Sequence, residues 1–183
     1  MPNSLFLKIM PIIVAVLLVT ALIVVFLAWK RKEKYMKLGE LKNFSYSPGY
    51  CDMLGESHSA ELRNGGDGSW TLISYDRQEH SEPLIKTTYA VSEEEVLRFE
   101  EYLKEKKIAS LDGRKDSDDF ATDYSPWSYR LLYDNSSVGG EKNAEYAIRE
   151  FRKYSDADKA LLKELGERWK SLFGEKISEE PEE

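Results

Sequence analysis

Two hydrophobic patterns divide the chain. Residues 9–29 read IMPIIVAVLLVTALIVVFLAW, twenty-one positions without a charge, interrupted only by Pro11 and Thr20. At about 1.5 Å rise per residue, such a run spans about 30 Å, the thickness of a bilayer core. Pro11 falls near the start, where a helix tolerates a missing N–H, and Trp29 falls at an interfacial position. The run is longer than a signal-peptide core, and Lys30, Arg31, Lys32 and Lys34 follow it in place of a cleavage site. The expectation is a single transmembrane helix. The positive flank then predicts a cell-membrane protein whose C-terminal part is cytoplasmic.

Beyond residue 42 the periods become short. Residues 44–47 alternate and break at Pro48-Gly49, a strand ending in a turn. Residues 59–63 and 70–75 flank the glycine-rich Asn64-Gly65-Gly66-Asp67-Gly68, which predicts a hairpin. A phosphate-cradling loop would end in Lys-Ser/Thr and lead into a helix, whereas Ser69-Trp70-Thr71-Leu72 reads as strand. Residues 84–91 form another strand. Ser92 and Glu95 then make a capping box for a helix whose Val96, Phe99 and Leu103 share one face. Residues 127–133 are a strand, and residues 143–153 fit strand or helix. Ser155 caps a last helix with Leu161, Leu162, Leu165, Trp169, Leu172 and Phe173 as its apolar stripe.

This order lacks regular βαβ alternation and predicts an α+β domain, an antiparallel sheet with helices packed on one face. The expected organisation is a short flank over 1–8, the transmembrane helix over 9–29 and a basic juxtamembrane linker over 30–42. The α+β domain follows over 43–174, and an acidic disordered tail over 175–183.

Charge narrows the partners. From Tyr35 onward there are 21 Lys and Arg against 32 Asp and Glu, a net of −11. An acidic domain lacks the basic face that displaces counterions from phosphates, so no nucleic-acid partner is expected. Cys51 is the single cysteine, which rules out an intrachain disulfide and a multi-cysteine metal site.

The candidate chemistry is sparse. The acidic stretch 112–123 fails the EF-hand pattern: counted from Asp116, position five is Phe120 and position twelve is Trp127. An irregular cation cage from Asp116, Asp118, Asp119 and Asp123 is the alternative to a solvated acidic loop. Trp127, Tyr129 and Tyr133 fall on one side of a strand with Leu131, as core or as a binding surface. His58 and His80 lack metal-ligand spacing, no G-x-S-x-G elbow occurs, and no cofactor is expected.

Short motifs carry one resemblance over most of residues 44–173. They are Phe44-Ser45-Tyr46, Val91-Ser92-Glu93-Glu94, Ile108 with Leu111-Asp112-Gly113, and Asp123 with Trp127-Ser128-Tyr129 and Tyr133-Asp134. Together the domain resembles a family of uncharacterised proteins of clostridial Firmicutes, which carry a lipoprotein signal or membrane helix before one small α+β domain. Leu111 stands where that family has tryptophan, and Asn135 where it has glycine. The resemblance implies fold, anchoring and a bacterial source, and no chemistry. The functional expectation is a single-pass membrane-anchored binding or interaction module. It would be held at the membrane through residues 9–29 and engage another protein. The alternatives are a membrane-tethered hydrolase or metal-dependent enzyme, and an extracytoplasmic cell-envelope accessory domain.

Overall fold

The computed structural model describes residues 4–35, 37–49, 57–77, 79, 81–117 and 126–182. It divides into two units, residues 1–37 and 38–183.

The first unit contains helix α1 (Ser4–Lys34). Leu17, Leu22 and Val25 are among its exposed apolar side chains. The expected transmembrane anchor is corrected here: among the described residues, no helix is long and apolar enough to cross a membrane. The single-pass membrane assignment, the cell-membrane localisation and the cytoplasmic orientation rested on that span and are corrected with it.

The second unit is α+β. Seven strands, β1 (Glu40–Ser47), β2 (Ser57–Asn64), β3 (Trp70–Arg77), β4 (Ile85–Tyr89), β5 (Ser128–Asp134), β6 (Ala144–Arg149) and β7 (Lys176–Pro181), form one sheet. Its order is β6-β5-β1-β2-β3-β4-β7, and every pairing is antiparallel. Helices α2 (Glu93–Glu105) and α3 (Asp156–Ser171) accompany it, with 3-10 segments at Ile108–Gly113 and Ser136–Val138.

Local chemistry starts and stops these elements. Ser92 accepts from the Glu95 amide while Glu95 reaches back to the Ser92 amide, and Ser155 and Asp158 repeat the device at α3. The hairpin between β2 and β3 reverses through Gly66 and Gly68, both at positive φ, and Asn64 Oδ1 accepts from the Gly66 amide.

The core lies where the helices meet the sheet at Phe44, which is fully buried on central strand β1. Phe99 of α2 meets it edge-on with centroids 5.0 Å apart, and Trp169 of α3 approaches to 4.8 Å. Between Leu41 and Asn43 the register of β1 shifts. The Leu41 amide donates to Glu100 Oε1 at 2.9 Å, and Lys104 pairs with the same carboxylate at 2.7 Å. A bulge thereby ties α2 to the sheet through one buried acid.

The ends of the sheet depart from expectation. Glu40, Leu41 and Lys42 belong to β1 and not to a linker. The acidic C-terminal residues, expected to be disordered, form edge strand β7 on β4, with the Glu182 amide donating to the Leu84 carbonyl at 2.8 Å. All six β7 residues are exposed. The strand holds by its backbone ladder, which acidic side chains do not prevent, and charge on an edge strand blocks further pairing.

Gly39, at the entry to β1, is required by close approach. A Cβ built there would sit 1.9 Å from the Asp134 carbonyl oxygen, and its amide donates to buried Asn135 Oδ1 at 2.7 Å. Gly39→Ala is expected to destabilise the domain by about 2 kcal/mol. Chemical denaturation checks this, and an unchanged midpoint would show that β1 and β5 separate at no cost.

Candidate functional site

The helix-facing side of the sheet runs in rows across the strands. The row through Phe44 reads Leu131, Phe44, Leu62, Leu72 and Tyr89, without a charge, and α2 and α3 cover it at Phe44. Two residues along each strand, the next row reads Ile148, Tyr129, Tyr46, Ala60, Ser74 and Thr87. The row after that contains His58, Asp76 and Ile85. On a face whose side chains alternate with period two, this is a gradient from apolar to polar.

Over the polar rows the packing opens into a cleft of about 600 Å³. Its sheet side includes Tyr46, Ala60, Ser74, His58 and Asp76, and its helix side includes Leu162, Gly166, Trp169 and Phe173 from the end of the domain around α3. Gly166 permits the close approach of α3, since a Cβ there would lie 3.3 Å from the Tyr129 hydroxyl. A glycine inside a helix costs about 1 kcal/mol relative to alanine, so this approach is bought with helix stability.

Polar groups at the floor are organised. Asp76 Oδ1 lies 2.9 Å from His58 Nδ1, and Asp76 Oδ2 accepts from Ser74 Oγ at 2.9 Å. An ionised carboxylate only accepts, so Nδ1 carries the proton and Nε2 is the ring nitrogen left for a ligand. His58 and Asp76 keep 39% and 48% of their side-chain surface, so solutes reach the pair. Beside it, Tyr46 and Tyr129 stack with centroids 4.6 Å apart. Burial, then the repulsion of Glu150, raises the Tyr46 phenol above its ordinary range, and burial raises Tyr129 much further. Both hydroxyls therefore stay protonated and can donate.

The sequence-derived candidates have other roles or lie elsewhere. Asp116 forms an isolated bridge with Arg152, its carboxylate 3.4 Å from Arg152 Nε. Asp118, Asp119 and Asp123 lie outside the described residues, as do His80 and Cys51. Among the described residues, no group of three or more His, Cys, Asp or Glu side chains could hold a metal ion. Tyr133 is fully buried and offers no surface, while Tyr129 is buried with its hydroxyl near the cleft. Trp127 is half-buried and stacks on Tyr154.

The residue that composition alone conceals is Asp76. The hairpin register supplies the missing signal: if Asn64 faces Trp70, His58 must face Asp76, six residues back on one strand and six forward on the other. No family model, curated protein or solved structure matches this chain.

Proposed function

We propose that the domain is a binding module whose cleft takes a small ring-bearing ligand with a polar substituent. The observation that carries this reading is one cavity combining aromatic walls with a hydrogen-bonded His58–Asp76–Ser74 floor. Its volume lies within the range of about 300–1,000 Å³ usual for ligand sites. The Tyr46 ring offers a face for a flat group, and His58 Nε2 with the two phenols offers donors and acceptors for its substituent. Binding is favoured over acyl transfer because Ser74 donates to Asp76 and not to His58. The trio thus lacks the nucleophile–base–orienter order that such chemistry needs.

Ala60→Leu places a larger apolar side chain on the cleft floor. It is expected to weaken capture of indole or a hydroxyindole by about tenfold or more while costing about 1–3 kcal/mol of stability. Asp76→Asn, which removes the charge that orients His58, is expected to weaken the hydroxylated probe more than indole. Equilibrium titrations with both probes check this, and equal affinities across wild type and both variants would sink the proposal.

A further inference from the structure

The opposite face of the sheet carries a second arrangement, which shares Tyr46 and Ser59 with the lining of the cleft. Register pairs Arg130 with Ser45 and Ala147, and Ser128 with Ser47 and Arg149. Arg130 and Arg149 are therefore diagonal neighbours on one face of adjacent strands, within reach of a common group at about 7–8 Å between Cα positions. Both are exposed. With Ser45, Ser47, Ser59 and Ser128 they line a hollow of about 460 Å³.

Among the described residues, five other arginines hold carboxylates, while Arg77 on β3 holds none and leaves a buried Nε without a partner. Arg63 holds Glu61, Arg98 holds Glu94, Arg114 holds Asp158, Arg152 holds Asp112 and Asp116, and Arg168 holds Glu164. Among the described residues, no carboxylate pairs with Arg130 or Arg149. Glu145 stands diagonal to Arg130 on the same face, and no ion pair joins them. Glu61, across Ser45 from Arg130, is held by Arg63 at 2.5 Å and by Asn43 at 3.2 Å. From Tyr35 onward acids outnumber bases 32 to 21, yet these two adjacent guanidiniums hold no carboxylate among the described residues.

We infer that this hollow is an oxyanion site for the phosphate group of a phosphate monoester, held between the Arg130 and Arg149 forks with serine hydroxyls as further donors. Guanidinium forks match the oxygens of a tetrahedral dianion, and two cations offset its two charges. Hydroxyls add neutral donors without adding repulsion.

Calorimetric titration at low ionic strength with inorganic phosphate and with phenyl phosphate tests this, with acetate and chloride as controls at matched ionic strength. Saturable binding of both phosphates is expected, weakened about tenfold or more by R130Q and by R149Q and undetectable in the double variant. R98Q, which removes an exposed paired arginine on α2, should leave it unchanged. Phosphate binding that survives the double variant would overturn the inference, as would an equal response to acetate and chloride or no binding at all.

Discussion

Replacing Trp169 by alanine is expected to destabilise the domain by about 3–5 kcal/mol, the largest effect of any single substitution considered. Trp169 is 2% exposed and stands where three elements meet. Its ring centroid lies 4.8 Å from Phe44 on β1, 6.1 Å from Phe99 on α2 and 5.5 Å from Phe173 beyond α3. Truncation removes the indole and leaves a cavity that fixed strands cannot close, so transfer and cavity costs add. Aromatic pair geometry contributes a further fraction of this loss. Because the ring also forms part of the cleft wall, the variant should lose ligand capture even under conditions where it remains folded. A urea midpoint lowered by less than the equivalent of about 1 kcal/mol would show that α3 is not anchored through this ring.

Asp158→Ala is expected to cost about 2–3 kcal/mol, because one carboxylate serves two structures. It completes the capping box of α3, accepting from the Ser155 amide at 3.0 Å. It also receives Arg114 through Nε at 2.9 Å and a terminal nitrogen at 2.6 Å, which joins the helix start to the chain beyond the 3-10 segment. The Arg114 hydrogen bonds chiefly, with those of Ser155, hold the Asp158 carboxyl down at about 2. An unfolded aspartate titrates near about 3.9, so the folded group is the stronger acid. Its contribution is present above that value and disappears as pH falls toward about 2. The stability gap between wild type and Asp158→Asn should therefore be constant above about pH 5 and shrink as acid is added. A gap that widened on acidification would reverse the assigned role.

These elements were unequally legible before the structure. Capping boxes are local, and Ser92 with Glu95 announces α2 because both halves lie within one turn. The β2–β3 hairpin is similarly local, its glycines marking the reversal. What escaped was set by pairing between distant strands. β7 has no apolar face, so its composition reads as disorder, yet a backbone ladder with β4 orders it. The long apolar run of residues 9–29 suggested a transmembrane span, and the described part of α1 does not sustain that assignment. The His58–Asp76 pair and the Arg130–Arg149 diagonal both depend on register. Alternation assigns faces, and only pairing decides which residues become neighbours across strands.

The acidic loop illustrates the same point from the other side. Its density of aspartate invited a cation cage, but the one described member of the proposed set, Asp116, is matched to Arg152. Arg152 is also engaged by the carbonyls of Asp112 and Arg114 at 2.6 and 2.7 Å.

The most direct measurement of the cleft's role is a backbone amide shift map of the full chain titrated with a hydroxyindole. The expected result is saturable movement centred on His58, Ala60, Ser74, Asp76 and Gly166, absent in Ala60→Leu. Movement confined to other surfaces, or the same movement in Ala60→Leu, would contradict the assignment of this cleft as the binding site.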